Sequence, residues 1–476
     1  MVFSSELFIF GFMPFFFISY YLLPNTWKNV HIVIASLLFY AWGAPRFILF
    51  IVLSTWFDYF LSIKIYTSKP TRSKQIVIFS ILVNVSVLAY MKYANFFIEE
   101  VNQVFLSLGT SAMNWSKIAL PIGISFIIFQ KISYIIDVSR KNVSPPKSII
   151  DFMLYVFMFP QLIAGPIVRY HDIEKQIRIR QFRYQDVYHG FFRFCIGLAK
   201  KTLFADSLGE VANTIFALNA TSITVTYAWL GILAYTFQIY FDFSAYSDMA
   251  IGLARMMGFR LLENFNWPYI SKNITEFWQR WHISLFRWMK EYLYIPLGGN
   301  RKGRFRNYIN LWIVFLLSGL WHGANWTFLF WGAYHGLFLT LDKLHFHKKF
   351  FKRTPQSVKV FTTFIIIMMG WVLFRSDTIQ DAFQYYGYLF GTVSFFDSSI
   401  LWSDILTNRT MFLLLLCAIS FLRASPSLKE RSATMRQTLP AAPLMVAKTL
   451  TGIFLFFLSI AALCNSSFHP FLYFRF

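Results

Sequence analysis

The chain reads as an all-α, polytopic membrane protein. Three observations predict this class. Hydrophobic residues make up 57% of the 476 positions and charged ones 14%, where a soluble domain carries about 25% charge. Apolar runs recur from end to end. Short basic loops separate them, and a chain in lipid must satisfy its backbone within its own helices.

The first apolar run, Leu7 to Leu23, follows Met1-Val2-Phe3-Ser4-Ser5-Glu6. That opening has no basic n-region and no small-residue cleavage site, so the run is expected to stay as a helix. Further runs are Phe47 to Ile65, Ile76 to Tyr90, Tyr227 to Tyr240, Asn310 to Leu320, Phe328 to Leu341, Val360 to Phe374, Met411 to Leu422 and Leu450 to Leu463. Several fall short of the ~20 residues that a straight span needs, which predicts tilted, paired or re-entrant helices. No repeat or linker divides the chain, so residues 1–476 are expected to form one membrane domain. Within it, 1–137 is apolar with few embedded charges and reads as a lipid-facing scaffold. Residues 160–336 hold most of the intramembrane polar groups and form the candidate catalytic core. Residues 337–476 return to plain spans, interrupted by a Ser425 to Lys448 loop.

Basic residues gather in Lys64 to Lys74, Arg140 to Lys147, Arg169 to Arg183, Arg301 to Arg306, Lys343 to Arg353 and Arg423 to Arg436. Short loops of this kind face the cytoplasm. Asp206 to Thr226 has no Lys or Arg and is expected outside, as is the N-terminus. The net charge of +22 is spread among these loops and forms no single face with a reader motif, which argues against nucleic acid and for contact with the lipid bilayer and its anionic headgroups. Cys195, Cys417 and Cys464 lie far apart in apolar surroundings. They offer neither a disulfide framework nor a metal-ligand spacing and read as packing residues.

Two segments set an imidazole beside indoles: Trp278-Gln279-Arg280-Trp281-His282 and Gly319-Leu320-Trp321-His322-Gly323-Ala324-Asn325. A neutral histidine escapes most of the cost of burial and can act as a base, since its ordinary pKa is near 6.5. An ionisable residue inside the membrane is a functional candidate by default. Ser271 to Pro296 mixes Trp278, Trp281 and Trp288 with Glu276, Arg280, Arg287, Lys290 and Glu291, so it is expected as one amphipathic helix, capped by Asn273 or Thr275 and ended by Pro296 and Gly298-Gly299. Trp278, His282 and Leu285 would then share a face. The arm from Asn307 to Trp321 would rise only about 22 Å through a hydrocarbon core of about 30 Å, which places the His322 turn inside the membrane. Gly319 and Gly323 would admit a close backbone approach there. For both histidines, and for His335, the bland alternative is a packed interfacial or core imidazole. It weighs least on His322 and most on His335.

Tyr240 to Ala250 sets Asp242 and Asp248 in an apolar span. The pair could bind a cation, as a transporter would, or could hold a structural polar core by pairing with Arg255, Arg260, Arg280 or Arg287; the second reading is preferred. Pro160-Gln161-Leu162-Ile163-Ala164-Gly165-Pro166, followed by Arg169, looks like a broken helix leading to a cation that could hold an anionic donor, and a plain helix end explains it about as well. The expected lining of the candidate site is therefore Trp278, Trp281, Arg280, Trp321, Asn325 and Arg169. No GxxxxGK[ST], Rossmann, HExxH or GxSxG pattern is present, so the corresponding chemistries lack support.

Trp281-His282, Gly319-Leu320-Trp321-His322-Gly323 and the Tyr240 to Asp248 cluster together resemble the membrane-bound O-acyltransferase family. Asp242-Phe243-Ser244, Tyr246 to Gly252, Glu263-Asn264-Phe265-Asn266, Pro268-Tyr269, Thr275 to Trp278 and Leu297-Gly298-Gly299-Asn300-Arg301 resemble its bacterial alginate O-acetyltransferase branch. The resemblance implies a ring of about 11 spanning helices with re-entrant and interfacial ones around a central funnel in the bacterial inner membrane. It implies His322 as the essential histidine, with His282 as the second. No bound cofactor or metal is expected. The donor would be a cytoplasmic acyl thioester, with acetyl-CoA expected, and the acceptor an external polysaccharide, reached with the help of an external or periplasmic acetyltransferase partner protein. The rival readings are a cation- or proton-coupled transporter or flippase and a non-catalytic scaffold subunit.

Overall fold

A computed structural model describes residues 1–344, 353–396, 400–423, 441–465 and 471–472. All regular structure among them is helical. In chain order the helices are α1 Met13–Leu22, α2 Lys28–Gly43, α3 Ile48–Thr67, α4 Pro70–Ser107, α5 Ile124–Ser139, α6 Ile149–Phe157, α7 Phe159–Leu162, α8 Tyr170–Arg178, α9 Tyr184–Ala199, α10 Asp206–Phe216 and α11 Val225–Met256. They continue as α12 Ile274–Arg280, α13 Ile283–Met289, α14 Arg304–His322, α15 Trp326–Lys343, α16 Gln356–Arg375, α17 Ile379–Leu389, α18 Trp402–Ile405, α19 Asn408–Arg423 and α20 Ala441–Asn465. Wide π turns extend three of them, at Leu7–Phe12, Lys200–Ala205 and Lys290–Tyr294. Four stretches are long and apolar enough to cross a membrane by length and composition: Pro45–Thr67, Pro70–Ser107, Gln356–Arg375 and Met445–Asn465.

Two compact units are present, one of Met1–Phe191 with Ala250–Leu262, the other of Phe192–Met249 with Glu263–Phe476. In the first, Phe3, Phe8, Phe16, Phe39 and Phe159 are all buried and packed ring against ring. Among the few charges embedded in this unit, one pair is fully buried. Asp58 of α3 and Lys131 of α5 form an ion pair of 2.8 Å with side-chain exposures of 0% and 1%. Ser80 and Asn84 of α4 also donate to Asp58, and Lys131 donates to Ser54. A buried pair survives only when its remaining hydrogen-bonding capacity is filled, and here three helices fill it. The same polar clasp fixes their rotation against one another.

The second unit is built around the antiparallel hairpin of α14 and α15. A Cβ on Gly319 would lie 2.2 Å from the carbonyl oxygen of Phe328, and one on Gly332 would lie 2.3 Å from that of Phe315. Backbone therefore meets backbone where the helices cross, as small residues allow. Asn325 caps α15 by accepting from the Thr327 amide at 3.1 Å. The rising arm begins at Arg304 and ends at His322. Its 19 residues reach roughly 28 Å at 1.5 Å each, so arm length alone does not set the depth of the His322 turn.

Other expectations also change. α2 and α5 went unread in the sequence, and α11 runs on well past Tyr240 to carry both Asp242 and Asp248 on one helix. α20 starts at Ala441, inside the segment read as a loop; the earlier part of that loop and most of the Lys343 to Arg353 segment lie outside the described residues. Cys195 and Cys417 are buried, but Cys464 is exposed and so is not a packing residue. The expected single helix over Ser271 to Pro296 is broken. Asn273 does cap it, accepting from Glu276 N at 2.7 Å, yet α12 stops at Arg280 and His282 adopts φ +45°. A non-glycine residue pays about 1–2 kcal/mol for the left-handed region. Two backbone bonds hold the break open: Asn266 N to Arg280 O and Ile283 N to Asn264 O, each 2.9 Å. Trp278 and His282 consequently do not share a helix face.

Candidate active site

His322 ends α14 and is 4% exposed. Its Nδ1 lies 2.7 Å from the carbonyl oxygen of Ser318, one turn back. A carbonyl only accepts, so Nδ1 carries the proton and Nε2 is the basic nitrogen of the neutral ring. The imidazole packs edge to face on Trp321, Trp331 and Phe374, with centroid distances of 4.9, 4.8 and 5.6 Å. A cavity of about 20 Å³ adjoins it, lined also by Asp242, Phe243, Trp281, Trp371 and Leu472. That volume suits one water-sized group.

His282 is held by a different device. Its Nδ1 is 3.2 Å from Asn264 Oδ1, which also accepts from the Ser284 amide at 3.2 Å and the Ser284 hydroxyl at 2.9 Å. The amide nitrogen of Asn264 donates to Ser247 at 3.1 Å. The Ser284 amide can only donate, which fixes the orientation of the Asn264 side chain and puts the His282 proton on Nδ1. Both imidazoles contact Trp321, His282 at a centroid distance of 6.0 Å.

Asp242 and Asp248 are ion-paired, but not with the arginines expected from the sequence. Lys201 donates to Asp242 at 2.8 Å and to Asp206 at 2.7 Å. Asp242 also accepts from the Leu472 amide at 2.8 Å. Asp248 pairs with Lys200 at 2.6 Å and Arg193 at 2.8 Å, and Arg193 pairs in turn with Glu263. Arg255 and Arg260 go to Asp186 instead, and Arg280 to Glu276. The cations come from the helix and π turn that precede α11. The signal was there: two adjacent lysines follow an apolar helix.

Of the expected lining, Trp281 borders the cavity and Trp321 flanks both histidines. Trp278 does not border it, lying instead against Phe315, Trp331 and His335. Arg280 is held by Glu276 and the carbonyl of Asn266. Asn325 is a cap, and its amide donates to the carbonyl of Asp377 at 2.8 Å. Arg169 belongs to the first unit, where it clasps Asp172 with two bonds of 3.0 Å at the start of α8. Asn264, Ser318, Trp371, Phe374 and Leu472 were not foreseen. Their contribution is contact, which a linear pattern does not display.

Residues 10–375 match the family model described as MBOAT, membrane-bound O-acyltransferase family. The chain belongs to the membrane-bound O-acyltransferase family. It is therefore a membrane O-acyltransferase. Similar proteins include a probable alginate O-acetylase of Pseudomonas putida, 41% identical over 500 aligned positions covering all of both chains. A peptidoglycan O-acetyltransferase of Helicobacter pylori is 38% identical over 81% of this chain and 79% of its own. A teichoic acid D-alanyltransferase of Bacillus subtilis is 29% identical over 53% of this chain and 68% of its own. All three names describe acyl transfer, to alginate, peptidoglycan and teichoic acid respectively. Within an O-acyltransferase, a buried imidazole whose proton is assigned to Nδ1 has the chemistry of a general base.

Proposed function

We propose that this protein takes an acetyl group from a cytoplasmic thioester, with acetyl-CoA as the donor, and delivers it across the inner membrane for O-acetylation of an external polysaccharide. The observation that carries the reading is the setting of His322: buried, with its basic nitrogen fixed by the Ser318 carbonyl, beside a tryptophan-lined cavity. In the transfer step Nε2 of His322 takes the proton of the acceptor hydroxyl while its oxygen attacks the thioester carbonyl. The new C–O bond forms, the C–S bond breaks, and the thiolate leaves with the proton from the imidazolium. A neutral imidazole can serve as the base of this exchange.

His282 packs on Trp321, which in turn packs on His322 and helps hold its ring. Trp281 and Trp331 exclude water, which strengthens the electrostatics of the step. Arg280 takes no part in stabilising the oxyanion, since Glu276 and Asn266 hold it. The acceptor hydroxyl belongs to the polymer or to a serine of an external acetyltransferase partner. A cation-coupled transporter is disfavoured because Lys201, Lys200 and Arg193 already neutralise Asp242 and Asp248.

The test uses purified protein in liposomes with radiolabelled acetyl-CoA, with and without the candidate partner. Thioester consumption and labelled acceptor are expected from the wild type. His322→Ala should be as abundant and as well folded yet slower by about 10²- to 10⁴-fold. Wild-type turnover by that variant, or ion-dependent uptake without loss of acetyl, would refute the proposal.

A further inference from the structure

The cavity beside His322 has room for little more than one methyl-sized group. Its volume is about 20 Å³, and a single water-sized group needs about 10–15 Å³. Its walls include Trp281, Trp331, Trp371 and Phe374, and these rings brace one another. The ring centre of Trp371 lies 5.0 Å from that of Trp281, 6.1 Å from Trp331 and 5.4 Å from Phe374, and Trp331 lies 5.2 Å from Phe374. The Trp371 indole also donates to the Tyr269 hydroxyl at 3.2 Å, which donates in turn to the Thr236 carbonyl of α11 at 2.7 Å. Rings packed in this way cannot turn aside for a larger occupant without breaking the packing. Ile239, also on α11 and 5% exposed, borders the same cavity with a branched aliphatic side chain.

We infer that Ile239 sets the length of the acyl group this protein transfers, leaving room for the methyl of an acetyl group and none for a third carbon. The inference rests on the acyltransfer reading above. In that reaction the attacking hydroxyl oxygen sits within hydrogen-bond reach of His322 Nε2, about 3 Å, and the acyl carbonyl carbon lies just beyond it. The acyl methyl is then a few ångströms from the imidazole, and this cavity is the space that adjoins the ring. Aromatic and aliphatic walls suit a methyl group. Asp242 also borders the cavity, but Lys201 compensates its charge at 2.8 Å. A propionyl or butyryl group would have to push its extra carbons into fixed rings, and one methylene too many in a tight apolar site costs about 10- to 200-fold. Ile239 is an aliphatic wall on a long helix, so shortening it enlarges the cavity and leaves the ring stack in place.

The experiment measures kcat/KM in liposomes, with the candidate partner present, for acetyl-CoA and propionyl-CoA. Wild-type protein should use propionyl-CoA about 10- to 200-fold less well. Ile239→Ala should raise the propionyl-to-acetyl ratio by about 10-fold or more, and Ile239→Val should raise it by a smaller factor. A ratio of two donors on one variant does not depend on how much of that variant is folded. Gly336→Ala, whose added methyl meets nothing nearer than 3.7 Å, should keep the wild-type ratio. Wild-type protein that uses both donors equally, or a ratio unchanged in both Ile239 variants, would overturn the inference and reduce the cavity to a water site. A second arm does not depend on turnover: in His322→Ala protein, acetyl-CoA should raise the unfolding temperature more than propionyl-CoA does, and adding Ile239→Ala should close that gap. Closure of the gap with no transfer from either donor by the wild type would sink the function proposed above while leaving the selectivity of the cavity standing. Equal stabilisation by the two donors, unchanged by Ile239→Ala, would overturn the inference.

Discussion

Replacing Lys201 by Met should damage the protein more than replacing its partner Asp242 by Asn. Lys201 is 3% exposed and sits between two carboxylates, Asp242 at 2.8 Å and Asp206 at 2.7 Å, with side-chain exposures of 4% and 12%. Removing one member of a buried pair costs about 3–5 kcal/mol, because the other is left uncompensated. Lys201→Met leaves two acids in that state, so its cost belongs at or above the top of that range. Asp242→Asn leaves Lys201 with Asp206, and the amide oxygen can still accept from Lys201 or from the Leu472 N–H that Asp242 now takes. Its cost should be nearer the 1–3 kcal/mol of an imperfect buried hydrogen bond. The difference of about 2 kcal/mol or more is some 30-fold in the folded-to-unfolded ratio. Thermal unfolding in detergent and the folded fraction recovered from membranes both read it. A Lys201→Met protein as stable as Asp242→Asn would refute the reasoning, and with it the claim that these acids are charged and compensated.

Two further expectations are of other kinds. Gly332→Ala places a methyl 2.3 Å from the Phe315 carbonyl, whereas Gly336→Ala meets nothing nearer than 3.7 Å; the first should cost about 1–3 kcal/mol by overpacking and slow acyl transfer by moving α14, while the second should be neutral or slightly stabilising, as unfolding temperature and turnover will show. His171, on the polar helix α8, is bonded to Asp137 at 3.0 Å, and that bond, opposed by burial and aided by Asp172, raises its pKa above the ordinary 6.5. A raised folded pKa means stabilisation that is complete below about 6.5 and lost as pH climbs through the folded value. The unfolding temperature of the wild type should therefore fall across that window relative to His171→Gln, and parallel curves would disprove the role.

Composition and periodicity revealed the class, the α14 and α15 hairpin, and the Asn273 start of α12, because each depends on local pattern; the cap at Asn325, read as a lining residue, was missed. The histidines stood out for a similar reason, as titratable residues in apolar company. Partners were harder to read. Asp58 and Lys131 lie on different helices, each apolar on average, so a sliding hydropathy view hides both. Downstream arginines were the expected partners of Asp242 and Asp248, whereas the cations lie upstream, Arg193 on α9 and Lys200 and Lys201 in a π turn whose extra residue no propensity announces. The break at His282 escaped notice because a left-handed residue is usually signalled by Gly or Asn, and this one is imposed by backbone bonds from residues 264 and 266. Leu472 reaches the cavity from the far end of the chain, and no local rule could bring it there.

The two histidines differ in what fixes their protons, and the difference bears on mutational tolerance. The proton of His282 depends on the side-chain oxygen of Asn264, which any substitution without an acceptor at that place removes. That of His322 depends on a main-chain carbonyl, which every amino acid at position 318 supplies. Side-chain changes at 318 can alter packing, but they cannot delete the group that fixes the base; only unwinding the last turn of α14 can. The proton position of His322 is thus insured against substitution at its hydrogen-bond partner in a way that that of His282 is not.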